Sequence, residues 1–249
     1  MALHQAVRQA GAKLQWSFSS PPVSILTNAT KRANFLATVR GAVEACESDG
    51  MEFDYEGPSS PAAADVFTTL LIDIKKAVCT NHTDLRECGF TILADSEPPQ
   101  WSDYYRLNMS KMDGINIDFV NYMSYFAGNA GSDASRWDTS IQMLLQQGYT
   151  PSTISLTIPY YSSSGGGAWA DMCSSCPDIA PELNNCSSTM FVGKMMNQRI
   201  GELAVQSGIG GVFPWMLNYD SVGTVGGCTD DSLFQWLKRG LLAKQPASA

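Results

Sequence analysis

Three acidic residues, Glu52, Asp54 and Glu56, alternate with Met51, Phe53 and Tyr55 in the stretch running from Asp49 through Gly50 to Glu56. Side chains of an extended chain switch faces at each residue, so this spacing sets three carboxylates on one face and three apolar groups on the other. Like charges this close raise one another's pKa, and a glutamic acid kept protonated near neutral pH can donate to the oxygen of a bond being broken. Glu56, outermost on the strand, is the best placed donor. Alone, the same alternation also describes an ordinary strand with one solvated face. The surrounding elements decide between the two.

Helical composition over His4–Ala10 stops at Gly11, and Lys13–Phe18 then reads as a strand. Phe35, Leu36, Val39 and Val43 recur at helical spacing over Lys31–Ala45, ahead of the acidic strand Met51–Glu56. Pro61 suits a first helical turn, Val66–Val78 reads as a buried helix and Phe90–Ala94 as the next strand. An irregular stretch with Pro98, Pro99 and Trp101 follows, then a strand at Asp118–Tyr125, a helix at Ser135–Gln147 and a strand at Thr153–Pro159. A helix at Lys194–Gln206, a strand at Gly211–Leu217 and a helix at Asp231–Leu242, capped by Thr229 or Asp230, complete the pattern.

Such alternation implies parallel strands joined by crossover helices, an α/β fold. No glycine-rich dinucleotide turn follows the first strand at Trp16–Ser20, which favours a barrel over an open nucleotide-binding sheet. In a barrel the apolar face of the acidic strand meets the helices, and the carboxylates point inward near the strand's carboxyl end. The connection Tyr161–Val192 is long and carries Ser162–Gly167, Trp169 and three cysteines. It falls on the same face, either as a disulfide-pinned insertion or as a substrate-facing loop.

With 249 residues, 44% of them hydrophobic, the chain suits a single domain spanning 1–249. Lys and Arg number 16 against 24 acids, a net charge of -8, which argues against a nucleic-acid partner. No apolar run approaches the roughly 20 residues that cross a bilayer, and Met1–Lys13 lacks the apolar centre of a signal peptide. Cysteines at 46, 79, 88, 173, 176, 186 and 228 and sequons at Asn28, Asn81, Asn108 and Asn185 point to a secreted, disulfide-bonded glycoprotein. Seven cysteines leave at least one unpaired; Cys79 and Cys88 flank a short polar segment suited to a closed loop. His4 and His82 lie beside no serine or cysteine in nucleophile context, and Cys173-Ser-Ser-Cys176 lacks the second pair a zinc site needs. Neither a metal nor a cofactor is expected.

The stretch at 49–56 resembles the D-G-x-D-x-D-x-E signature of family 18 glycoside hydrolases, the chitinases and their relatives. Lys13–Ser20 resembles that family's third strand with its S-x-G-G turn, Asn121–Tyr125 its sixth-strand N-x-M-x-Y motif, and Gly211–Trp215 its eighth strand with a tryptophan. Four motifs in the family's order, between about His4 and Leu242, are far more specific than one.

The resemblance implies a (β/α)8 TIM barrel of chitinase type and retaining, substrate-assisted hydrolysis of β-1,4-linked N-acetylglucosamine polymers, with chitin or its oligosaccharides as partner. It implies Glu56 as proton donor, Asp54 as orienter of the acetamido group, Glu52 as relay and Tyr125 as donor to the attacking carbonyl. Trp215 and Met123 would form floor and wall of the sugar pocket, joined by Ser17 and Asn121. Tyr160, Tyr161, Trp101 and Trp169 are read as exposed rings that stack on sugars, most of them serving packing.

Departures accompany the likeness. Glu52 stands where the family has an aspartate, Ser19 and Ser20 replace paired glycines, and Phe126 replaces an aspartate. The first two strands are not recognisable, so the barrel is expected to be incomplete at its start, with unpaired strand edges that invite self-association. A non-catalytic chitin-binding lectin and an endo-β-N-acetylglucosaminidase acting on N-glycans are the other readings.

Overall fold

Helix α3, Ala29–Cys46, opens and closes as local chemistry dictates. Asn28 sits in extended backbone and accepts a hydrogen bond from Lys31 N at 3.0 Å, taking one of the orphan N–H groups of the first turn. Glu47 ends the helix in the left-handed region at φ 49°, its N–H returned to the Val43 carbonyl. A computed structural model describes residues 2–19, 23–54, 61–96, 118–123, 135–162, 167–176, 179–220 and 232–243. They fall into two compact units, Met1–Val120 and Asn121–Ala249. Hydrogen-bonded strands run in the order β1-β2-β3-β4-β5-β8, with β6 and β7 forming a separate hairpin.

The first unit carries α1 Ala2–Gln9, β1 Gln15–Ser19, α2 Val23–Thr27, α3, β2 Gly50–Asp54, α4 Pro61–Val78 and β3 Thr91–Ser96, and ends within β4 Phe119–Tyr122. Strands β1, β2 and β3 are parallel neighbours, with Ser17 opposite Glu52 and Glu52 opposite Leu93. On the helix side an aromatic column runs from Trp16 through Phe18 and Phe53 to Phe67 of α4, with centroid spacings of 6.4, 5.9 and 5.9 Å. Val39 of α3, with Leu70, Leu71 and Ile74 of α4, extends this core. On the other side Gln15 Nε2 donates to Thr91 Oγ1 across β2. Only glycine fits beneath, since a Cβ at Gly50 would lie 2.2 Å from that hydroxyl. Lys75, 1% exposed, reaches Asp118 Oδ2 at 3.3 Å, and the same oxygen accepts Ile92 N at 2.8 Å, tying α4 to the amino end of β3.

The second unit holds α5 Ser135–Gln146, β5 Ile154–Pro159, α6 Trp169–Ser175, the β6 Asn185–Cys186 and β7 Thr189–Met190 hairpin, α7 Lys194–Ser207, β8 Gly211–Trp215 and α8 Leu233–Leu241. Strands β5 and β8 pair in parallel. Helices α7 and α8 approach through Gly201 and Gly240; a Cβ on Gly240 would lie 2.0 Å from the Gln198 carbonyl oxygen. The long connection between β5 and α7 folds on itself. Trp169 meets Phe191 at a tilt of 57° with ring centroids 4.9 Å apart, Cys176 bonds Cys186, and Lys194 Nζ donates to the Ile179 carbonyl at 2.7 Å.

The alternation of strands and helices follows the sequence reading, with differences of physical origin. Helices α2 and α6 and the hairpin have no amphipathic period long enough to announce them. Ser232, not Thr229 or Asp230, caps α8, and Asp220 takes the N–H groups of Leu233 and Phe234 at 2.8 and 3.0 Å. Thr229 and Asp230 lie outside the described residues, as do Glu56 and the end of the strand expected to reach Tyr125. Cys79 bonds Cys88 as the spacing suggested, and Cys46 is free and exposed.

Candidate active site

In the first unit β2 separates its two faces as its alternation requires. Met51 and Phe53 are 1% and 0% exposed on the helix side. Glu52 and Asp54 share the opposite face with their parallel register partners Ser17 and Ser19, because partners in a parallel pair point the same way. Glu52 is 4% exposed while Asp54 is half-buried, so the face opens toward the strand's carboxyl end. Oε1 of Glu52 is buried with no hydrogen-bond partner among the described residues. An orphaned buried carboxylate oxygen is costly and asks for a purpose other than stability. Ser17 and Ser19 are exposed.

The amino end of this strand does different work. Asp49 accepts Leu14 N at 2.9 Å through Oδ2 and Arg8 at 3.2 Å through Oδ1, while its carbonyl accepts Thr91 N at 2.9 Å. The first acid of the stretch therefore fixes the starts of β1, β2 and β3. Sequence reading gave it no role, although its place one residue before an obligatory glycine was the available signal.

In the second unit Tyr122 Oη donates to Met143 Sδ of α5 at 3.9 Å, so Asn121 and Met123 point away from that helix. Asn121 is 1% exposed, and neither atom of its amide has a partner among the described residues. On β5, Ser155 and Thr157 alternate with Ile154, Leu156 and Ile158, and Thr157 Oγ1 is another buried hydroxyl without a partner there. Thr157 pairs with Phe213 and Pro159 with Trp215, whose rings are 6.2 Å apart; Trp215 is half-buried and its peptide to Met216 is cis. Sequence reading passed over Thr157, although the period of two on β5 matches that of the acidic strand.

Tyr160 and Trp169 were expected as exposed rings, and both are 0% exposed. Tyr160 instead holds its neighbours through its backbone: its N–H donates to the Trp215 carbonyl at 2.7 Å, and its carbonyl accepts Trp169 N at 2.9 Å. Burial pushes the Tyr160 phenol well above its ordinary value, and the charge of Asp220 adds to the rise. Tyr161 is half-buried and meets Tyr219 edge-on at 6.2 Å. Cys173 and Cys176 are both disulfide-bonded, which removes the metal reading of their spacing. Tyr125 and Trp101 lie outside the described residues.

Comparison with known proteins places this geometry. The sequence model described as Glycosyl hydrolases family 18 matches residues 15–220. No curated protein sequence matches. Among solved structures, the chain resembles catalytic domain 2 of the Group II chitinase of Ostrinia furnacalis at a TM-score of 0.73 and 15% identity, covering 98% of this chain and 81% of that one. A chitinase-like agglutinin of Robinia pseudoacacia gives a TM-score of 0.73 and 16% identity, covering 96% and 84%. The chitinase ChiB of Flavobacterium johnsoniae gives 0.71 and 16%, covering 96% and 78%. What these share with the chain is the fold, a TIM barrel of chitinase type represented here by six strands. Because the sequence model runs from the first residue of β1 to Asp220 just beyond β8, the chain belongs to glycosyl hydrolases family 18.

Proposed function

We propose that residues 1–249 act as one catalytic domain that hydrolyses β-1,4-linked N-acetylglucosamine polymers, with retention and with the substrate's own acetamido group as nucleophile. The observation that carries the reading is the acid face of β2, where Glu52 is buried without a partner for Oε1 among the described residues and the half-buried Asp54 stands at the strand's carboxyl end. Glu56 protonates the leaving oxygen while the N-acetyl carbonyl attacks the anomeric carbon, and water later opens the oxazolinium ring. Asp54 orients the acetamido group and offsets its developing charge, Glu52 stands behind it in a proton relay, and Tyr125 donates to the attacking carbonyl. Trp215 is the apolar floor and Met123 a wall, with Asn121 and Ser17 as polar neighbours and Tyr160 as a support for the floor. No cofactor enters this chemistry. Disulfides support an extracellular site of action, and among the described residues no helix is long and apolar enough to cross a membrane.

The test is release of fluorophore from a labelled chitobioside or chitotrioside by the chain and by Glu56→Gln. The amide keeps the size of the acid but has no proton to give, so hydrolysis is expected to fall by about 100-fold or more while sugar binding persists. Undiminished turnover in that variant would remove Glu56 from the mechanism. A second reading, a non-catalytic sugar-binding protein, is favoured by the agglutinin on the same fold. A folded chain that binds chitin oligosaccharides and cleaves none would select it.

A further inference from the structure

We infer that, of the sequons among the described residues, Asn81 is the N-glycan acceptor, at a place that leaves the carboxyl-end face of the barrel unobstructed. Three sequons fall among the described residues, and their surroundings differ. Asn81 and Thr83 are both exposed, and neither side chain makes a hydrogen bond among the described residues. They lie on a turn closed by His82 N donating to the Cys79 carbonyl at 3.1 Å, within the loop that the Cys79–Cys88 disulfide pins. The Asn81 amide nitrogen is thus presented on a protruding, covalently closed turn.

The other two acceptors are engaged. Asn28 caps α3, its Oδ1 accepting Lys31 N, and Thr30 already belongs to the helix. Asn185 uses Nδ2, the atom a glycan would occupy, to donate to the Ser187 carbonyl at 3.2 Å. Its sequon also contains Cys186, which is bonded to Cys176.

Position in the fold separates them further. The loop at 79–90 joins the end of α4 to the start of β3, so it belongs to the amino ends of the strands. Lys13 Nζ, just ahead of β1, donates to the Gly89 carbonyl at 3.1 Å and confirms that end. Asp54 closes the opposite end of β2, a strand length of roughly 13 Å away along the sheet. Asn28 and Asn185 stand instead on connections that leave the carboxyl ends of β1 and β5.

The transfer uses an oligosaccharide carried on a lipid pyrophosphate by the membrane transferase of the secretory pathway. The bond from the sugar's anomeric carbon to pyrophosphate oxygen breaks, a bond to Asn81 Nδ2 forms, and one amide proton leaves to the transferase. The same compartment is oxidising, in keeping with the disulfides.

The experiment is secretion of the chain from eukaryotic cells behind a cleavable leader, followed by intact mass before and after peptide-N-glycosidase and by peptide mapping. The result expected at these three sequons is one glycan on most chains, mapped to Asn81 by the conversion of that residue to aspartate. It should disappear in Asn81→Gln and Thr83→Ala and remain in Thr83→Ser. An unmodified Asn81 peptide in secreted, disulfide-bonded protein overturns the assignment, as does a glycan confined to Asn28 or Asn185. If a variant is retained by the cell, occupancy in the unsubstituted chain still decides. Enzymatic removal of the glycan should leave the affinity for chitin oligosaccharides unchanged; this arm rests on the proposed function, and mass alone reads the first.

Discussion

Glu52 sets the terms at the scale of the residue. A buried carboxylate whose Oε1 meets no described partner does not earn its place through stability. Glu52→Gln keeps the volume and removes the charge, so resistance to urea should stay the same or rise while turnover falls by about 100-fold, the lower range for a proton-transfer group. The opposite pattern, lower stability with normal turnover, would make Glu52 a structural residue. The alternation of acids and apolar groups on β2 was legible because a period of two follows from backbone geometry alone. The burial of Tyr160 was not. Two adjacent tyrosines look alike once the strand is ended at Pro159. The backbone bond from Tyr160 to Trp215 carries the pairing one residue further, so that Tyr160 falls in step with the buried Ile154, Leu156 and Ile158 while Tyr161 stays half-exposed.

Between elements, the crossing of α7 and α8 depends on missing side chains. Gly240→Ala puts a methyl group 2.0 Å from the Gln198 carbonyl oxygen and 2.9 Å from Glu202 N, both backbone atoms of the facing helix. Overpacking of this kind should cost about 1–3 kcal/mol, read as a lower midpoint in urea. Gly89→Ala is the control. Nothing lies within 4 Å of a Cβ there, and the change should stay within about 0.5 kcal/mol. Strands and long helices could be located from sequence because each carries its own hydrophobic period. The short α6 and the β6/β7 hairpin could not, since the tilted contact of Trp169 with Phe191, the Cys176–Cys186 bond and the buried Lys194 define them. These contacts join residues distant in sequence, and no local pattern encodes them.

For the whole molecule, one free thiol has an address among the described cysteines. Cys46 at the end of α3 is exposed and free, whereas Cys79, Cys88, Cys173, Cys176 and Cys186 are bonded. Of the six described cysteines, a thiol reagent should therefore label Cys46 alone in the native chain, and all six after reduction and unfolding. Labelling at Cys79 or Cys176 in native protein would contradict the observed pairing. The buried phenol of Tyr160 bears on the alkaline limit of the fold. Its folded pKa is raised, so its contribution is intact below the ordinary tyrosine value near 10 and is lost as pH climbs beyond it, where only the unfolded chain releases the proton. Above that point the unfolding free energy should drop by about 1.4 kcal/mol per pH unit from this group, a slope that Tyr160→Phe removes. Followed by near-ultraviolet absorbance, Tyr160 should then form phenolate only as the chain unfolds, so that the appearance of its colour reports the loss of structure around Trp215 and Trp169 rather than a titration of the native protein.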